Sequence, residues 1–174
     1  MRISSEKLNK TLLKIIKILN DNDINNWFIG YGTLLGIIRE KSCINGDDDV
    51  DIIIDKKHFD KVEELLIENN FQVNYDGGPK LKKARAEKKI LNTKNTNKYS
   101  QVDFYMSIVD KEGNFEDLWE NIVWSKCYND KNELIEYIWN ENKLYLPNNY
   151  KKKLANYYGE DWEIPKKYKG APRI

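Results

Sequence analysis

The chain has 174 residues, 29 of them Lys or Arg against 28 Asp or Glu, with a formal net charge of +1. That length suits a single domain over residues 1–174, able to bury about two thirds of its unfolded surface. The balanced charge gives no support to a protein that coats a polyanion.

The two cysteines, Cys43 and Cys127, are too few for a disulfide framework and read as free thiols. No apolar run approaches the ~20 residues of a membrane span. The first residues, MRISSEKLNKTLLKIIK, mix Lys and Glu into their apolar positions, unlike a secretory signal, so the expected location is cytoplasmic. Aromatic residues make up 12% but fall at packing intervals and are not interleaved with Arg, which argues against nucleic acid as a partner.

In chain order, Leu8, Leu12, Ile15, Ile16 and Leu19 recur at helical spacing and predict a helix over roughly Ser4 to Asn22, capped by Ser4 or Ser5 with Glu6 in its first turn. A strand is expected at Trp27 to Ile29, a glycine turn at Gly30 to Thr33, and a short helix from Thr33 to Arg39. Val50 to Ile54 is apolar throughout, the pattern of a central strand buried on both faces. Asp55 then caps a helix from about Lys56 to Asn69. His58, the one histidine, lies in its first turn without a Cys or His partner nearby and is assigned no role.

Phe71 to Tyr75 reads as a strand closed by the turn Asp76-Gly77-Gly78-Pro79. A basic stretch follows from Lys80 to Leu91, and a hairpin joins it to a strand over Val102 to Val109. Phe115 to Trp124 and Leu134 to Leu146 are ambiguous between helix and strand. Pro147 and Asn148 start a last helix, which Gly159 stops.

The chemistry concentrates between Ile29 and Ile54. Asp47, Asp48, Asp49 and Asp51 put four carboxylates into five residues, which is unfavourable unless a cation sits among them. Strand alternation turns Asp49 and Asp51 to one face while Val50 faces the core. Asp47 shares their parity and is a candidate additional ligand, whereas Asp48 faces away. Hard oxygen ligands suit Mg²⁺ or Mn²⁺, and the spacing of an EF-hand calcium loop is absent. Upstream, the Gly30-Tyr31-Gly32-Thr33 turn allows close backbone approach, and the amides opening the next helix can bind a phosphate. Asp103 stands alone in the β-forming segment Gln-Val-Asp-Phe-Tyr, where an unpaired buried acid would be destabilising unless it served a metal or a proton transfer.

A Gly-Thr turn, an Asp-x-Asp about 16 residues on and a third Asp on a later strand together resemble the signature of the nucleotidyltransferase superfamily. Within it, GTLLGIIREKSCINGDDDVDI is similar to the LicD family, which includes phosphocholine transferases and fukutin-type ribitol-phosphate transferases. The closing LPNNYKKKLANYYGEDWEIP resembles that family's tail. Asn45-Gly46 stands where the family usually has Pro-Trp, and Tyr31 replaces a frequent Gly.

The resemblance implies an α+β fold, a mixed sheet flanked by helices. It implies a metal-dependent phosphotransferase moving a phospho-alcohol group, such as phosphocholine or a polyol phosphate, from a CDP-linked donor to a glycan hydroxyl, releasing CMP. Asp49, Asp51 and Asp103 would be catalytic and, with Asp47, hold Mg²⁺ or Mn²⁺. Gly32, Thr33, Arg39 and Arg85 would contact substrate phosphates. Nucleotidyl transfer from an NTP with release of pyrophosphate is the alternative on the same fold. A non-catalytic binding protein is a third reading, against which the intact Asp49, Asp51 and Asp103 argue.

Overall fold

The computed structural model describes residues 2–73 and 87–166. Helix α1 spans Ser5–Asp21; Ser4 Oγ accepts the Lys7 N–H at 3.2 Å, and Leu8, Leu12, Ile15, Ile16 and Leu19 form its buried stripe. Strand β1 (Trp27–Ile29) leads through Gly30 into α2 (Tyr31–Glu40). Strand β2 (Asp49–Asp55) ends where the Asp55 carboxylate accepts the Lys57 N–H, opening a 3-10 turn (Lys56–His58) and then α3 (Phe59–Glu68).

Strands β3 (Ile90–Asn92), β4 (Gln101–Val109), β5 (Phe115–Asp117) and β6 (Ile122–Trp124) follow. Then come β7 (Ile135–Trp139), β8 (Asn142–Leu146) and α4 (Tyr150–Tyr158).

Among the described residues, six strands form a mixed sheet in the order β1-β2-β4-β5-β6, with β3 also on β4, while β7 and β8 pair separately. β2 runs antiparallel to β1 and parallel to β4. With a strand on each side and Ile52, Ile53 and Ile54 fully buried, β2 is the central strand that its apolar run predicts. Each such Ile contributes roughly 1.5–3 kcal/mol of burial, so this strand is held rigidly. Its register against β4 places Asp51 beside Asp103.

Some expectations shift. The helix expected at Thr33 starts two residues earlier, because Gly30 in extended conformation serves as its N-cap. The last helix starts at Tyr150 and not at Pro147: the Asn148 N–H is held by the Cys127 carbonyl, and Asn149 turns into left-handed conformation. Of the strand expected at Phe71 to Tyr75, Val73 bridges to Thr93, while residues 74 and 75 and the turn at 76–79 lie outside the described residues. Asp47 precedes β2, so it reaches the site by the path of its loop and not by strand parity.

The two ambiguous stretches are strands. Those in the first are three residues each, too short to show a period of two. In the second, Asn140 and Glu141 both have positive φ and form a two-residue hairpin turn, without the Asn-Gly that usually announces one.

Candidate active site

The glycine turn and the acidic strand are stitched together at one residue. Asp51 gives its carbonyl to the Gly30 N–H at 3.1 Å and its own N–H to Thr33 Oγ1 at 2.9 Å. Both backbone groups of Asp51 are thus satisfied by the turn, which fixes the strand against the start of α2. Thr33 is buried. Its hydroxyl lone pair therefore serves the fold, whatever its amide does for a ligand.

Gly32 is what lets the acids approach. A Cβ there would lie 2.6 Å from Asp47 Oδ2 and 3.8 Å from Asp51 Oδ2, so any side chain would displace the Asp47 carboxylate. On the other side, Asp49, Asp51 and Asp103 each offer an oxygen within 4.8 Å of the others. Oxygens facing each other across a cation at ~2.1 Å are separated by up to ~4.2 Å. A small closure of this cluster would let it hold a hard divalent ion, and the donor set is all oxygen. Asp47, Asp48 and Asp49 form a second such group, with Asp48 exposed.

Burial and mutual repulsion show in the acids' proton affinities. Asp49 is held far above the usual carboxylate range, first by burial and then by the charges of Asp51 and Asp103. Asp51 is raised likewise by burial and by Asp103, and burial pushes Asp47 up to about 6. Asp103 is also raised by burial, but hydrogen bonds from Asp49, Gln101 and Asn92 oppose the shift. A divalent charge is the natural counterweight to such a group of acids.

Asp103 Oδ1 accepts two amide hydrogen bonds, from Gln101 Nε2 at 2.7 Å and from Asn92 Nδ2. Tyr105 donates to Asp51 Oδ1 at 3.2 Å. Beside it, Tyr31 packs against Tyr105, Trp124 and Tyr157 with centroids 4.9, 5.3 and 5.5 Å apart. Tyr31 donates to the buried Asp117 at 2.6 Å, and Asp117 also accepts the N–H groups of Trp119 and Glu120. This aromatic layer walls the acids on one side.

The sequence of residues 25–165 matches the LicD/FKTN/FKRP nucleotidyltransferase-domain model. The chain belongs to that family. No curated protein matches this LicD-family chain. Among solved structures it is similar to the lincosamide antibiotic adenylyltransferase LnuA bound to lincomycin, with a TM-score of 0.55 and 13% identity over 94% of this chain and 98% of that one. It also matches the TM1012 protein of Thermotoga maritima, with a TM-score of 0.48 and 16% identity over 91% and 88% of the two chains. At these identities the first likeness shows the shared fold. Family and fold together support a transferase of the nucleotidyl or phosphoryl type.

Of the residues singled out in this LicD-family chain by its sequence, the structure gathers Gly32, Asp47, Asp49, Asp51 and Asp103 at one place. Arg39 lies in the last turn of α2, about 9 Å of helix rise beyond Thr33. It pairs there with Glu40 at 2.6 Å and approaches the Trp162 carbonyl. Arg85 lies outside the described residues. Of the basic stretch around it, Lys88 pairs with Asp60 and Lys89 with Glu87, as on an ordinary solvated surface.

Gln101, Tyr105, Asn92 and the Tyr31–Asp117 pair escaped the sequence reading. Strand parity points to the first two, at two residues either side of Asp103. Asn92 needs the β3–β4 register, which puts it opposite Asp103. Both cysteines are free and buried. Among the described residues no helix is long and apolar enough to cross a membrane.

Proposed function

We propose that the chain is a metal-dependent phosphotransferase that moves a phospho-alcohol group from a CDP-linked donor to a glycan hydroxyl and releases CMP. The observation that carries this reading is the convergence of Asp49, Asp51 and Asp103 within 4.8 Å beside the glycine turn, in a chain of the LicD family. Asp49, Asp51 and Asp103, with Asp47 alongside, would hold Mg²⁺ or Mn²⁺. When bound, the cation neutralises the donor diphosphate and stabilises charge as phosphorus changes partners.

The chain's own residues do the rest. The amides at the start of α2 face an anionic group where the helix dipole favours it. Asp103, oriented by Gln101 and Asn92, takes the proton of the acceptor hydroxyl. The new bond joins the acceptor oxygen to the phosphorus bearing the alcohol, and the bond from that phosphorus to the CMP oxygen breaks. The Tyr31, Tyr105, Trp124 and Tyr157 layer excludes water from one flank.

The near-complete mutual coverage with an adenylyltransferase favours one second reading, nucleotidyl transfer with pyrophosphate as product. Incubation with CDP-choline, CDP-ribitol, CTP and ATP in the presence of Mg²⁺ and a set of glycan acceptors separates the two. CMP from a CDP-alcohol supports the first, pyrophosphate from an NTP the second, and neither product refutes both.

A further inference from the structure

Asn92 lies on β3 opposite Asp103 and is 6% exposed. Its amide orientation is dictated by its neighbour. Asp103 Oδ1 is an acceptor, so Nδ2 must face it, as observed, because the reverse would set two acceptors against each other. The amide oxygen is therefore the end left over. Asn92 Oδ1 is buried and has no hydrogen-bond partner among the described residues. Such orphans are rare, and each is destabilising unless something supplies the missing donor.

The chemistry of that donor is narrow. A carboxamide oxygen accepts from O–H or N–H; it can also ligate a hard cation directly, but here the nitrogen is the end turned to the ligand acid Asp103. It gains nothing from a phosphate oxygen, and a quaternary ammonium has no hydrogen to offer. Asp103 separates Asn92 from Asp51 across the sheet, so a group bound at the acids and extending past Asp103 meets Asn92 next.

We infer that Asn92 contacts the loaded site at both ends of its amide: the nitrogen holds Asp103, and the oxygen accepts a hydrogen bond from an O–H group that arrives with the cation. That O–H belongs either to a cation-bound water or to the hydroxyl of the acceptor. The inference rests on the metal-site reading proposed above. Gln101 supplies the internal control, since it also donates to Asp103 Oδ1 but is only half-buried, and its amide oxygen is not a buried orphan.

The test is a set of Mn²⁺ titrations, followed by electron paramagnetic resonance of the free ion, on the full chain and on Asn92→Leu, Asn92→Ser and Gln101→Leu. Each is run in buffer alone and with saturating ribitol as a hydroxyl probe. Thermal unfolding confirms that each variant folds, and the shorter Asn92→Ser replaces Asn92→Leu if the latter does not.

Gln101→Leu is expected to weaken Mn²⁺ by about threefold or less, because Asp103 keeps its second donor. Both Asn92 variants are expected to weaken it by ~10-fold or more, the usual effect of losing a group that orients ligands. An extra loss already present in buffer assigns the O–H to water, and one that appears only with ribitol assigns it to a substrate hydroxyl. Asn92 and Gln101 variants that are indistinguishable in both conditions overturn the inference and leave the metal site standing. A parent chain that binds no Mn²⁺ overturns the metal site itself.

Discussion

Thr33 Oγ1 accepts the backbone N–H of Asp51 at 2.9 Å, so a residue in the first turn of α2 also holds the central acid of the cluster in place. Thr33→Val keeps the shape and removes the acceptor, leaving a buried N–H unpaired. The expected loss is about 1–3 kcal/mol of stability, with Thr33→Ser close to the parent. Urea denaturation of the three chains checks it, and an unchanged Thr33→Val midpoint would contradict the role.

Gly32→Ala separates stability from cation binding. Alanine favours a helix interior by roughly 0.5–1 kcal/mol over glycine, yet its Cβ would stand 2.6 Å from Asp47 Oδ2. The cation-free protein is expected to unfold within about 1 kcal/mol of the parent, while Mn²⁺ affinity falls clearly as Asp47 is displaced. Calorimetric titration reads the second effect.

The raised acids set a pH dependence for the cation-free protein. Their protons are bound more tightly in the folded state than at the ordinary carboxylate value near 3.8, so the folded state binds more protons over this range. Their favourable contribution is complete below that value and is lost as pH rises through the folded values, about 6 for Asp47. In EDTA, the melting temperature is expected to fall between pH 4 and pH 8, and added Mn²⁺ to flatten the slope. A flat profile in EDTA would show that the acids do not repel one another.

Asp51→Asn follows from the same shift. Asparagine is neutral at every pH, so folding no longer has to keep a proton on a buried acid, and the variant is expected to melt higher than the parent in EDTA at pH 8. It is also expected to lose most of the Mn²⁺-induced rise in melting temperature, together with transferase activity. Differential scanning fluorimetry with and without Mn²⁺ measures both, and a variant that melts lower in EDTA would argue that Asp51 is paired by something else.

Tyr31 holds φ at +46°, an unusual conformation for a large side chain, and its hydroxyl bonds the buried Asp117. Tyr31→Phe retains the ring and removes the donor, leaving Asp117 with its two amide partners. A loss of about 1–3 kcal/mol is expected. Asp117→Asn, which preserves an acceptor, should lose less, as measured by chemical denaturation.

The sequence by itself determined strands β1 and β2, the turn between β1 and α2, and the acids of β2. Periodicity and capping are local, so α1, β1, β2 and the end of α4 could be read from residues a few places apart. Asp49 and Asp51 were legible because alternation along one strand requires no partner. What only the tertiary structure decided was everything that depends on register between distant segments. Pairing Asp51 with Asp103 needs the parallel alignment of β2 and β4, which no local spacing encodes. Asn92 reaches Asp103 through a second pairing, and Asp117 reaches Tyr31 across 86 residues. Strands β5 and β6, three residues each, were hidden for the same reason, since they are held by neighbours and not by their own propensity.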